Sequence, residues 1–278
     1  MAGSSERRGK APPPPNPLNP YKDSLRPHFP SKEELLREAQ AYRQRSHTGK
    51  GVAAIALAVA ALWFANPTIE RTQLATRIGE HAEWSLRDGT RIQLNTGTVA
   101  VLENRLRGRW LRLEQGEAMV TVAHGWRSFV VTSGDTEVRD IGTVFNVRRD
   151  TGRVEVAVVE GAVEVKGHPE DAPVRLNGGQ MLAVRDGQVG PTTALPSGAL
   201  AWTSGRLVFD GTPLREALAQ MQRYRSAPIR LHDTRAGNLR LSGEYATSGI
   251  DTLLDALPDV LPVRVKRQPD GTVDIAAR

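Results

Sequence analysis

Apolar residues follow different spacings in successive stretches of this chain, and each spacing predicts its own kind of element. Between about residues 78 and 190 the period is two. Trp84, Leu86, Ile92 and Leu94 alternate with polar neighbours around Asp88-Gly89, which reads as a β-hairpin closed by a tight turn. Further short strands are expected at 110–113, 118–123, 128–132, 143–148, 154–159, 162–166 and 181–184, with turns at Gln115-Gly116 and Gly161. Strands at intervals of roughly ten residues with little helix between them predict a sandwich, barrel or solenoid.

Before this region the pattern is helical, then unbroken. Ser31 and Glu34 are placed as a capping box. Leu35, Leu36, Ala39 and Tyr42 follow on one helical face, a candidate docking stripe for a partner. Residues 51–69 carry no charge, and 52–65 are almost wholly apolar. That run predicts a transmembrane helix, ended by Asn66-Pro67. A buried Ala-rich core helix and a cleaved signal peptide are the competing readings. Arg37, Arg43, Arg45 and Lys50 precede the run, whereas Arg71 and Arg77 after it are balanced by Glu70 and Glu80. This asymmetry predicts a cytoplasmic N-terminus.

After residue 200 the two periods alternate. Leu207-Val208-Phe209 is a predicted strand, followed by a helix with Thr212 as cap, Pro213 at its first position, and Leu214, Ala217, Leu218 and Met221 as its stripe. A strand at 229–231 follows. The theme repeats with a strand at 239–242, a helix capped by Ser248 and Asp251 with Ile250, Leu253, Leu254 and Leu257 inward, and strands at 263–265 and 273–275. The expected organisation is an arm (1–50), a membrane helix (51–69), a β-rich domain (70–195) and a small α/β module (200–278).

Composition narrows the chemistry. The 278 residues include no cysteine, which excludes disulfides, thiol catalysis and Cys-based metal sites. Of the net charge of +6, the first fifty residues supply most: ten Lys and Arg against five Asp and Glu. Pro12 to Pro15, Pro17 and Pro20 favour polyproline II there. No DNA-binding fold fits so short an arm. The six histidines (His28, His47, His81, His124, His168 and His232) lack metal-ligand spacing. No phosphate loop, nucleophile elbow or zincin motif is present. The expectation is a protein with no cofactor and no metabolite turnover.

A resemblance then emerges from motifs in order: Gly79-Glu80, Leu86-Arg87-Asp88-Gly89-Thr90, Leu94-Asn95, Leu113-Glu114-Gln115-Gly116-Glu117-Ala118, Phe129-Val130-Val131, Gly142-Thr143-Val144-Phe145-Asn146-Val147, Val158-Val159-Glu160-Gly161-Ala162-Val163 and Gly179-Gln180. This series resembles the FecR family of anti-sigma regulators. Phe209-Asp210, Pro213-Leu214, Glu216-Ala217-Leu218, Leu241-Ser242-Gly243 and Leu253-Leu254 resemble the STN domain of secretins and TonB-dependent transporters.

The resemblance implies a mainly β protein: a single transmembrane helix, a β-solenoid-like FecR domain and an STN-like βαβ repeat module. It implies a bacterial inner-membrane protein with a periplasmic C-terminal region. Its partners would be an extracytoplasmic-function sigma factor and the signalling domain of a TonB-dependent outer-membrane transporter, without direct nucleic-acid contact. Leu207 and Phe209 lie in the end implied to meet the transporter. Gly142-Thr143 matches the Gly-Thr at which some relatives cleave themselves, the Thr hydroxyl attacking the preceding carbonyl. An envelope scaffold built from the same modules, without sigma-factor control, is the alternative.

Overall fold

The structure, a computed structural model, describes residues 31–125 and 127–278, without the side chains of Ala39 and of residues 41–53. The polyproline expectation for the arm, and the side chains of Ala39 and Tyr42, lie outside the described residues. The chain divides into two compact units, Met1–Ala65 and Asn66–Arg278.

In the first unit, helix α1 runs unbroken over Lys32–Ala65. The capping box forms: Glu34 N–H donates to Ser31 Oγ at 3.2 Å, and Ser31 N–H donates to Glu34 Oε2 at 2.8 Å. These bonds, backbone first, hold the Glu34 carboxyl below the usual carboxylate range. Leu35 and Leu36 are exposed.

The transmembrane expectation is corrected. Among the described residues no helix is long and apolar enough to cross a membrane. The apolar end of α1 from residue 51 to Ala65 rises only about 22 Å at 1.5 Å per residue, against a hydrocarbon core of about 30 Å. Asn66, in the left-handed region (φ 44°), ends the helix. Ile69, counted into the expected span, already belongs to a strand.

That strand opens the β body. Its strands are β1 (Thr68–Ala75), β2 (Ala82–Ser85), β3 (Arg91–Leu94), β4 (Val99–Arg105), β5 (Gly108–Thr121), β6 (Ser128–Ser133), β7 (Thr136–Asp140), β8 (Val144–Asp150), β9 (Arg153–Glu160), β10 (Ala162–Lys166), β11 (Val174–Asn177), β12 (Gln180–Arg185), β13 (Gln188–Val189) and β14 (Thr193–Ala194). One layer runs β1-β4-β5-β6-β7-β10-β11, the other β2-β3-β5-β8-β9-β12 with β13 and β14 beyond it. Strand β5 belongs to both. Its first half pairs with β4 and β6, its second with β3 and β8.

The sequence suggests a turn at Gln115-Gly116, yet β5 passes through it as a corner. The register with β4 slips between Val99 and Ala100, a bulge that bends the strand. Gly116 sits at φ +91°, where a Cβ would stand 2.3 Å from Thr98 Oγ1. On the opposite side β11 turns into β12 through Gly178-Gly179, so the two layers join again. The result is a nearly closed, barrel-like sheet around one core, with Phe129, Phe145, Ile92, Leu111 and Val156 at 0 % exposure.

The solenoid expectation is therefore also corrected. A solenoid stacks repeats that touch only their neighbours. Here one strand meets four others, and every pairing in the body except β5–β6 is antiparallel.

The C-terminal stretch has its own core. Strand β15 (Arg206–Pro213) leads into α2 (Leu214–Gln222) and β16 (Ile229–Leu231), followed by α3 (Thr234–Asn238), β17 (Arg240–Ala246), α4 (Ile250–Val260), β18 (Val263–Arg267) and β19 (Val273–Ala277). Strands β15 and β17 form one ribbon, and β16-β19-β18 a second sheet. The stripes of α2 (Leu214, Ala217, Leu218, Met221) and α4 (Ile250, Leu253, Leu254, Leu257) are buried in a shared core. The expected caps differ. Thr212 is still in β15, and Pro213 stands at the α2 cap position with no side-chain bond. A short 3-10 turn (Thr247–Gly249) precedes α4 where a Ser248 cap was expected.

Candidate functional site

Two polar clusters in Asn66–Arg278 involve residues of the motifs quoted above. The first is the loop between β7 and β8. Asp140 ends β7, and its Oδ1 accepts the Gly142 N–H at 3.0 Å and the Thr143 hydroxyl. This Asx-type turn carries Gly142 through φ +88°, a conformation that suits glycine. Thr143 is buried, and its carbonyl accepts the Val122 N–H at 3.0 Å. A Cβ on Gly142 would lie 3.9 Å from His124 Nε2, and one on Gly161 would meet the Gly142 carbonyl oxygen at 2.2 Å. Gly161 is thus the residue that lets this peptide sit where it does.

The arrangement has two of the parts that an N-to-O acyl shift needs: an attacking hydroxyl and a carboxylate that already accepts its proton. Among the described residues no donor hydrogen-bonds the Gly142 carbonyl, so the oxyanion support is missing from this conformation.

The second place is a buried polar cluster between the β body and the C-terminal module. Glu117, at 3 % exposure on β5, accepts from Asn95 Nδ2 (2.7 Å), Asn146 Nδ2 (3.0 Å) and Arg223 Nη2 (2.7 Å). Tyr224 OH donates to Asn95 Oδ1 at 3.0 Å, and Thr96 Oγ1 donates to the Arg223 carbonyl at 3.0 Å. Burial pushes the Tyr224 phenol up to about 12, against a smaller lowering by the Asn95 bond. His81 stacks on Trp202 with ring centroids 6.2 Å apart and lies 5.8 Å from the Tyr224 ring. Burial, above all, lowers the His81 pKa; Glu117 raises it and Arg223 lowers it.

The residues singled out in the sequence scatter. Gly142 and Thr143 form the first place. Leu35 and Leu36 lie on α1, far along the chain from either. Leu207 and Phe209, expected to meet a partner, are 6 % and 2 % exposed in the second core; their side chains pack α2 and α4 instead. Arg223 and Tyr224 give no sequence signal, since each ends a helix like any polar residue. Asn95, Glu117 and Asn146 do stand inside the recognised motifs. Their signal is an interrupted alternation: Met119 and Ala157 are buried although they lie outside the body's core, on the outer face that the following chain covers.

Comparison with known proteins agrees with this description. No curated protein sequence matches the chain significantly. Two crystal structures of a candidate anti-sigma factor from Parabacteroides distasonis ATCC 8503 share the fold. They superpose with TM-scores of 0.62 and 0.61 at 24 % identity, covering 75 % and 74 % of this chain and 100 % and 99 % of theirs. The family model described as FecR protein matches residues 72–164, the span from β1 to β10 that holds Asn95, Glu117, Gly142-Thr143 and Gly161. Over residues 72–164, then, this chain is similar to the FecR family.

Proposed function

We propose that this protein regulates a sigma factor, acting as an anti-sigma regulator by binding and not by turnover. The observation that carries the reading is the match to the FecR family at residues 72–164, set in a fold shared over three quarters of the chain with a candidate anti-sigma factor. In this reading the sigma factor is of the extracytoplasmic-function class and docks on the N-terminal part of α1, where Leu35 and Leu36 are exposed. The signal enters at residues 206–278 from the signalling domain of a TonB-dependent transporter. The Glu117–Arg223 cluster then ties the receiving module to the β body.

Self-cleavage at Gly142-Thr143 belongs to the same reading. The Thr143 hydroxyl adds to the Gly142 carbonyl carbon, its proton passes to Asp140, and the amide becomes an ester with the Thr143 nitrogen released as an amine. Water then hydrolyses the ester. Signal-dependent movement of the loop would have to supply the oxyanion donor.

The test is affinity purification of the tagged full chain from its native host, with partners identified by mass spectrometry. A sigma factor recovered with the intact chain, and lost when residues 31–45 are deleted, is the expected result. Recovery of envelope proteins alone, under inducing and non-inducing conditions, refutes it. On the same samples Thr143→Ala should leave one band where the parent gives two; two bands in that variant exclude self-cleavage at this peptide.

A further inference from the structure

Self-cleavage at Gly142-Thr143 has two steps, and Asp140 serves the first. One oxygen of Asp140 accepts both the Gly142 N–H and the Thr143 hydroxyl, so it can take the proton as the hydroxyl adds to the Gly142 carbonyl carbon. The second step is attack of water on the ester. By then the Thr143 nitrogen has been released as an amine and has taken up the proton that Asp140 received. The new ammonium stays in the same turn as the carboxylate. An opposite charge so near favours the ionised carboxylate and weakens it as a base. The water needs another one.

Gly142 has a second titratable neighbour. Beyond β5 the chain continues through Val122, Ala123 and His124. The Val122 N–H donates to the Thr143 carbonyl at 3.0 Å, and the Ala123 N–H donates to Thr90 Oγ1 at 3.1 Å. These bonds fix the backbone that carries His124, one of them to the scissile segment itself. His124 Nε2 lies 3.9 Å from the position that a Gly142 Cβ would take, and among the described residues it is the only atom beyond the adjoining ones within 4 Å of that position. His124 is exposed and Gly142 is half-buried, so solvent reaches the space between them. A general base may act through one water, and this spacing suits one.

We propose that His124 is the general base of the second step, activating the water that hydrolyses the ester between Gly142 and Thr143; this role presupposes the self-cleavage proposed above. The water gives one proton to Nε2 of the neutral imidazole while its oxygen bonds to the Gly142 carbonyl carbon. The bond from that carbon to Thr143 Oγ1 breaks, and the imidazolium returns the proton to Oγ1. The products are a carboxyl group on Gly142 and a free hydroxyl on Thr143. The charged groups around His124 are Asp140 across Gly142, Asp88 and Arg109 beyond Thr90, Arg127 on its own loop, and Glu160 at the end of β9 opposite Val144.

The test is a timed chase after cell-free synthesis of the full chain, run at several pH values with the fragments followed on a gel. In the parent, fragment formation should slow on acidification as the imidazole takes up a proton. His124→Gln should form fragments about a hundredfold more slowly at neutral pH, the lower end of what a positioned general base supplies, and should lose that acid limb. Hydroxylamine attacks an ester without a base. It should restore cleavage in His124→Gln and leave a hydroxamate on Gly142, visible by mass spectrometry. Fragments from His124→Gln at the parent's rate, or a folded His124→Gln that hydroxylamine does not restore, overturns the proposal. If that variant does not fold, the parent decides: a rate without an acid limb, or no gain from hydroxylamine at acid pH, overturns it. Thr143→Ala keeps the two proposals apart. Fragments in that variant, or none in the parent, remove self-cleavage itself and the role of His124 with it. Fragments that need Thr143 but not His124 overturn the role of His124 alone.

Discussion

At the scale of single residues, the Glu117 cluster shows how a buried charge is tolerated. A carboxylate out of water is costly unless paired and hydrogen-bonded. Glu117 has Arg223 for charge and Asn95 and Asn146 for its remaining acceptor capacity. Tyr224 closes the ring by donating to Asn95. That bond needs a protonated phenol, and the folded protein holds the proton up to about 12, while an unfolded tyrosine releases it near 10. The folded state therefore binds the proton more tightly. The associated stability is full below about pH 10 and is lost as pH rises from there through about 12. Chemical denaturation of parent and Tyr224→Phe between pH 8 and 12 should show a steeper alkaline loss in the parent. Parallel curves would mean that Tyr224 ionises as freely folded as unfolded.

At the scale of elements, the polar–apolar alternation exposed most of the strands because each has one face on a core and one outside. The hairpin from Trp84 to Leu94, the strands around Phe129 and Phe145, and the stripes of α2 and α4 were all legible for this reason. What failed shares a different cause: pairing across sequence distance. Glycine at Gly116 reads locally as a turn, and only the bulge against β4 and the contact with Thr98 make it a corner inside a long strand. Ile69 reads as the end of an apolar run, and only its place in β1, paired with β4, makes it a strand residue. The motif glycine Gly161 was legible as a turn, but not its second duty under the Gly142 carbonyl. Gly161→Ala should cost about 2–4 kcal/mol, from the positive φ and from the displaced carbonyl together. Gly179→Ala, with φ +78° and open space around its Cβ position, should cost only the conformational part, about 1 kcal/mol. Equal losses in the midpoint of urea unfolding would remove the special role given to Gly161.

At the scale of the whole molecule, two cores that share no buried apolar residue are joined through polar bonds and through the rings of His81, Trp202 and Tyr224. Arg223 follows α2 in the C-terminal module, 106 residues from its partner Glu117 in the β body, which is why no local pattern revealed the pair. Because the two apolar sets are separate, loss of this junction would undock the module while leaving each core intact. Removing Arg223 leaves Glu117 buried with no countercharge. Breaking a fully buried pair costs about 3–5 kcal/mol; with Arg223 one fifth exposed, roughly 2–3 kcal/mol is expected for Arg223→Ala. The loss should fall on the docked state and not on either core. Thermal unfolding should then change from one transition to two, and limited proteolysis should begin to cut in the chain between β14 and β15. Glu117→Gln can keep the bonds from Asn95 and Arg223 on its one amide oxygen, while its NH2 replaces the oxygen that accepts from Asn146; the bond across to Arg223 survives without the charge, so this variant should weaken docking less than Arg223→Ala does. The double variant should be milder than the sum of the two, because each substitution removes the other's stranded charge. Strict additivity in that cycle would show that Arg223 and Glu117 act independently, and that the module is held to the β body by something other than this pair.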